Sequence, residues 1–281
     1  MDYKYSFVKS EEQVALMKKT DSFYKSPKTL MICWEVDADL FRKVLPPDLE
    51  MDEPIVTAGF IDYAEAGFGF PPYVLGVIGL NCSYKGVKGS YCLSMAIEGS
   101  DMGIYYGREM YGYPKKHAHV TFDVNGDKIY GKVERNGITF FEVNAEIGKH
   151  VGPDSEKYFP TGELVSSAVG NDFHLDYKVE AFGGDHTPTE MWKFTNVQLV
   201  HTVCNSFNIN DVPCSAEVIL RPSEDDPWIQ LAPKKILGAV YRQFDVRLMG
   251  NELDKAYTQE EGEALAPYLF TRYDAPIFRG F

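Results

Sequence analysis

Little in this sequence supports a disulfide framework or a zinc knuckle. Its five cysteines, Cys33, Cys82, Cys92, Cys204 and Cys214, are odd in number, scattered, and form no C-x-x-C pair. Basic residues are few against acidic ones, 28 Lys and Arg against 41 Asp and Glu, for a formal net charge of −13. Nucleic acid or an anionic membrane surface would need a basic excess, so neither is an expected partner. No apolar run reaches the length of a membrane span. The opening "MDYKYSFVKSEEQ" lacks the apolar stretch of a secretory signal. A reduced, cytoplasmic setting is the expectation that fits these absences. Repeats, low-complexity tracts and linkers are missing as well.

What is present describes a strand-rich protein. The 281 residues can bury a core without covalent staples, and 18 Tyr with 18 Phe favour sheet. Ser10, with Gln13 three residues on, opens a capped helix over "EEQVALMKKT", read as part of an N-terminal extension spanning 1–24. "KTLMICWEV" reads as a strand, and Asp37 caps a short helix stopped by Pro46 and Pro47. "HVTFDV", "KIYGKVER" and "ITFFEVNAEI" alternate and are joined by Asn125-Gly126 and Asn136-Gly137, the signature of an antiparallel meander. In the third segment Thr139, Phe141, Val143, Ala145 and Ile147 share one face, and Phe140, Glu142, Asn144 and Glu146 the other. "VIGLNCSY" and "SYCLSMAIEG" form another hairpin around "KGVKG". Residues from about 150 to 170 read as loop, then "DFHLDYKVEAF", "KFTNVQLVHTVC" and "SAEVILR" as strands, with "ILGAVYRQFDVRLM" open between strand and helix. The expectation is one domain over 1–281, mainly β with a few peripheral helices, its strands antiparallel and closed or nearly closed into a barrel.

The segment "GREMYGYPKK", Gly107 to Lys116, carries the chemistry worth testing. Gly107, Gly112 and Pro114 argue against a continuous helix, and Tyr113, preceding a proline, favours extended backbone. Lys115 and Lys116 then lie on an extended entry to the meander and point to opposite faces, one inward and one to water. A solvated lysine pair is the simpler reading of the pattern. A buried lysine is the sharper one, because loss of hydration can lower its pKa by roughly 3–5 pH units and leave a nucleophilic amine that forms a Schiff base with a ketone.

Gly107-Arg108-Glu109 and Tyr113-Pro114-Lys115-Lys116 resemble the active-site signature of the acetoacetate decarboxylase family. "FRKVLPPDLEMDEP" and "GVKGSY" resemble family segments in the same order. The resemblance implies a cone-like β-barrel, a homo-oligomer, no cofactor beyond the covalent imine, and Lys115 as the Schiff-base lysine acting on a small keto acid. Acetoacetate decarboxylase is the usual example of a lysine activated by a cationic neighbour; the strand reading makes burial the larger cause here and Lys116 the smaller. The family also uses two acids and an arginine, which align with Gly59, Leu75 and Pro27 and are absent; a slip of a few residues would bring in Asp62 or Glu65. Decarboxylation of a β-keto acid is the first expectation, aldol cleavage or condensation with dehydration the second, and a barrel that merely binds a carboxylate through charged Lys115 the non-enzymatic alternative. Arg108 and Glu109 form either a bracing ion pair or a substrate contact. Tyr113 is a wall or a donor, Glu98 a candidate acid, and Tyr241 and Arg242 a candidate phenol and carboxylate anchor. His117 and His119 have the spacing of a metal pair without a third ligand, so no metal is expected, and Cys92, Met95 and Phe122 read as core or pocket wall.

Overall fold

Alternating apolar residues and tight turns make strands the dominant element. The structure, a computed structural model, describes residues 7–19, 22–64, 72–99, 101–150, 155–159, 165–184 and 187–274. The first elements are α1 (Glu11–Met17), β1 (Ser22–Tyr24), β2 (Lys28–Glu35), α2 (Ala38–Val44), β3 (Ile55–Tyr63), β4 (Tyr73–Tyr84) and β5 (Val87–Glu98). Then come α3 (Asp101–Tyr106), β6 (Lys115–His117), β7 (His119–Asn125), β8 (Lys128–Arg135), β9 (Ile138–Ile147), β10 (Val165–Gly184), β11 (Thr187–Leu220) and β12 (Lys235–Ala256). The expected caps form: Ser10 and Gln13 make a reciprocal capping box on α1, and the Asp37 carboxylate accepts from the backbone N–H groups of Asp39 and Leu40 on α2.

Strands β12, β2, β3, β4, β5, β10 and β11 pair in that order, and β11 pairs again with β12, so the ladder closes into a ring. Pairing is not antiparallel throughout, as the barrel expectation had it. β10 runs parallel to β5, with Asp172 opposite Ser90, and β6 runs parallel to β5, with Lys115 opposite Met95. The second follows from the crossover through α3, which carries the chain back alongside Met95, near the end of β5, before β6 begins.

Three expectations shift. "KFTNVQLVHTVC" and "SAEVILR" belong to one strand, β11, which pairs with β10 and β12 in the ring and then with β9 of the meander. "ILGAVYRQFDVRLM" is strand, because β12 finds partners on both sides in β2 and β11. β10 begins at Val165, inside the stretch read as loop.

Side-chain alternation divides the core. The outward residues of the ring, among them Leu30, Ile32, Val56, Ala58 and Phe60, pack against the meander, with Phe60 stacked between Phe122 and Phe141 at centroid distances of 5.6 and 5.0 Å. Phe140, expected on the polar face of β9, is fully buried because the turn bearing Trp228 covers it, ring centroids 5.1 Å apart. The inward residues Tyr73, Leu75, Cys92 and Met95 form a second cluster with Tyr24, Ile104 and Tyr113. That inner face is left partly unfilled.

Candidate active site

Inside the ring lies a cavity of about 300 Å³. Its wall is mostly apolar and phenolic, built from Met31, Ile61, Leu75, Val77, Phe244 and Leu248 with Tyr24, Tyr63, Tyr73, Tyr106, Tyr111 and Tyr113. Lys115, Asp172 and Arg242 are its charged lining residues among those described.

The lysine is placed by the turn before it. Helical backbone does cross the first half of this segment, against which the glycines and the proline argued. α3 runs on into a π turn over Gly107–Tyr111 and ends at Gly112, whose φ of +82° is the left-handed conformation glycine favours. Gly107 is tolerated there for a packing reason, since a β-carbon on it would stand 2.4 Å from Lys115 Cε and 2.7 Å from Nζ. The lysine stem lies across the bare backbone of the turn, and Nζ donates to the Gly103 carbonyl at 2.9 Å. Gly107→Ala is therefore expected to push the amine out of place, cutting covalent capture of a carbonyl probe at Lys115 at least tenfold with circular dichroism unchanged; capture at the native level would show that the amine does not depend on this bed.

Lys115 is 6% exposed, and the Tyr73 and Tyr113 rings lie with centroids 5.4 and 5.9 Å from Nζ. Burial disfavours the ammonium and lowers its pKa to about 8, against a small opposing pull from Cys92. Lys116 does point to the other face, but not into water. It is also 6% exposed, with Nζ 3.3 Å from Asp226 and 3.2 Å from Asp274. Arg135 binds the same two carboxylates. Its charge is thus met by acids on the far side of the strand, and burial is what depresses Lys115.

The other candidate residues scatter. Arg108 lies over the Tyr273 ring and donates to the Lys115 carbonyl, Glu109 is exposed, the two do not pair with each other, and neither lines the cavity. Glu98 sits outside, accepting from His119 and the Val120 N–H, and His117 pairs with Asp101, so the two histidines do not converge. Among the described residues no group of three or more His, Cys, Asp or Glu could hold a metal ion. Tyr241 points away from the cavity, whereas Arg242 lines it, its guanidinium held in two 2.6 Å bonds by Asp211. Cys92 and Met95 are wall residues, and burial pushes the Cys92 thiol up. Phe122 belongs to the outer core. Glu65 lies outside the described residues, and Asp62, half-buried, alternates away from the cavity.

Sequence reasoning missed Asp172 on β10 and Cys204 on β11, which both line the cavity. Tyr113 donates to Asp172 Oδ2 at 3.0 Å, and Cys204 Sγ lies 3.5 Å from the same oxygen. The signal was the alternation of Asp172 and His174 with apolar Phe173 and Leu175, a polar face on a strand whose other face is core.

The sequence profile described as acetoacetate decarboxylase (ADC) matches residues 9–258. The chain belongs to the acetoacetate decarboxylase family. It is 27% identical over 282 aligned residues, 97% of this chain and 96% of the other, to a CLA biosynthesis isomerase of Lactiplantibacillus plantarum. An acetoacetate decarboxylase of Paraburkholderia phytofirmans is 35% identical over 114 residues, 37% of this chain and 41% of that one. Among solved structures, acetoacetate decarboxylase from Legionella pneumophila superposes with a TM-score of 0.71 at 22% identity, covering 91% of this chain and 99% of that one. The enduracididine biosynthesis enzyme MppR, complexed with the condensation product of pyruvate and imidazole 4-carboxaldehyde, gives 0.62 at 16%, covering 89% and 96%. Both share the fold. Within the acetoacetate decarboxylase fold the departures noted above acquire a place. Leu75 is on the cavity wall, and Gly59 alternates onto the same face between Thr57 and Ile61. A β-carbon at Gly59 would meet the Leu30 carbonyl oxygen at 1.8 Å, so no acid fits there without moving the ladder. Pro27 is buried at the start of β2.

Proposed function

We propose that the protein is an imine-forming enzyme in which Lys115 attacks the carbonyl of an apolar oxo compound and the resulting enamine carries out proton transfer at carbon. One observation carries this reading: a buried amine, its pKa lowered to about 8, faces a cavity whose walls are alkyl and phenolic. At pH 7 about one Lys115 in ten is then the neutral nucleophile, against far fewer for an ordinary lysine. The Gly103 carbonyl orients the amine, and Leu75 and Val77 are among the alkyl groups of the wall it shares. Arg242, the other cation lining the cavity among the described residues, already has its charge met by Asp211, which argues for an uncharged carbonyl end at the lysine rather than a small keto acid. Loss of a proton beside the imine and its return at another carbon moves a double bond, and the relative matched over its full length is named an isomerase.

Decarboxylation of a β-keto acid is the second reading, favoured by the local 35% match to an acetoacetate decarboxylase. It uses the same imine as electron sink, with carbon dioxide leaving in place of the proton. The test is reductive trapping. The protein is incubated separately with 2-octanone, acetoacetate and pyruvate, reduced with borohydride, and the Lys115 peptide weighed. The expected result is an adduct with 2-octanone and no carbon dioxide from acetoacetate. Rapid carbon dioxide release selects the second reading. No adduct with any probe overturns both and leaves a barrel in which charged Lys115 binds a carboxylate.

A further inference from the structure

We propose that Asp172, held by the Tyr113 hydroxyl, is the catalytic residue that moves the proton on the substrate, in place of the acids missing at Gly59 and Leu75. The proposal rests on the imine reading above and adds the group that acts opposite the lysine.

Asp172 is the one carboxylate among the described residues lining the cavity. Tyr113 neighbours both groups, its ring centroid 5.9 Å from Lys115 Nζ and its hydroxyl donating to Asp172 Oδ2 at 3.0 Å, so amine and carboxylate border the same cavity with this phenol in common. Cys204 approaches the same oxygen at 3.5 Å. Both bonds fall on Oδ2, which leaves Oδ1 to take a proton. Among the described residues no lysine or arginine pairs with Asp172. An acid without a cation, part-buried in the wall of a largely apolar cavity, is costly to keep as mere structure and is a common mark of a reacting group.

Its surroundings make it a stronger base than a surface aspartate. Burial raises its pKa, and the hydrogen bonds from Tyr113 and Cys204 oppose the rise without cancelling it. The groups facing it are neutral: Tyr113 before β6, Cys204 on β11, Cys92 on β5 and Tyr63 on β3, each with its own pKa pushed up by burial.

The step balances without any co-reactant. Asp172 takes a proton from the carbon next to the protonated imine. The C–H electron pair becomes the enamine double bond, and the C=N pair returns to the Lys115 nitrogen. The carboxyl, whose proton exchanges with water, then gives a proton back, either to that carbon or to the far end of a conjugated enamine. The C=N double bond re-forms, and water releases the product from the lysine.

The experiment separates this proposal from the reading beneath it. Wild type and Asp172→Asn are each given 2-octanone in D₂O, followed for deuterium uptake next to the carbonyl, and in parallel trapped with borohydride. The expected result is trapping within about twofold of wild type, with exchange at least 100-fold slower, the scale of a lost general base. Exchange within fivefold of wild type overturns the proposal and leaves the imine reading standing. Loss of trapping and exchange together in a folded variant also overturns it, because Asp172 then shapes the pocket rather than moving the proton. Absence of trapping in wild type removes the imine reading and this proposal with it. Should Asp172→Asn fail to fold, Tyr113→Phe is read instead. Without the phenol donor the carboxylate is less stabilised, so exchange should begin to rise at a higher pH than in wild type; an unmoved profile overturns the proposal.

Discussion

Replacing Lys115 with methionine is expected to abolish trapping with every carbonyl probe and, at pH 7, to make the protein more stable. The first half follows from removal of the amine. The second follows from the state of that amine in the folded chain. Its pKa is lowered from 10.5 to about 8 by burial. Below pH 8 the lysine is charged in both the folded and the unfolded chain, and only the folded chain bears the lost hydration. Between about 8 and 10.5 the unfolded chain holds a proton that the folded chain has released, so wild-type stability should climb with pH across that window. At pH 7 the full penalty is present, about 3 kcal/mol as an upper bound. Methionine keeps most of the stem's packing but leaves the Gly103 carbonyl without the Nζ donor, which offsets about 1 kcal/mol. A net gain of about 1–2 kcal/mol and a rise of a few degrees in Tm are expected. Denaturation of both proteins at pH 7 and at pH 10 checks this. Two results would count against it: a methionine variant less stable at pH 7, or a wild type whose stability relative to the variant does not rise with pH.

Loss of Asp226 should act on the other side of the strand. Asp226 is 2% exposed and bonds Lys116 Nζ at 3.3 Å and Arg135 Nη1 at 2.5 Å, while Asp274, at 33%, shares both cations. In Asp226→Ala the two buried cations are left to one half-exposed acid, and removal of one partner from such a cluster costs about 3–5 kcal/mol. Because Lys116 faces away from the cavity, Lys115 trapping in the remaining folded protein should stay within about twofold of wild type. Chemical denaturation measures the first effect and borohydride trapping the second. A cost below about 1 kcal/mol would mean that β6 is held by its pairing with β5 alone; a large fall in trapping would mean that the cluster does set the reactivity of Lys115.

These two substitutions also mark how far one-dimensional pattern reached. Alternation in "ITFFEVNAEI", Asn-Gly turns, the Ser10–Gln13 capping box and the Tyr-Pro step are local features, governed by neighbouring residues, and they led to the meander, the first helix and the opposed lysines. The short signature around Lys115 singled out the lysine for the same reason, since the turn that seats it and the stem that crosses Gly107 lie within ten residues. What surrounds the lysine is not local. Leu75, Asp172, Cys204 and Arg242 reach one cavity from four strands of the ring, and their convergence depends on pairing registers and on the parallel contact of β5 with β10. The acids of Lys116 lie more than a hundred residues along the chain, which is why it reads as solvated in sequence and is buried in the fold. The resemblance of one short motif thus pointed to Lys115 and to the family, while closure of the ring selected what surrounds the lysine, because strand alternation says which face a side chain takes but not which strand will stand across from it.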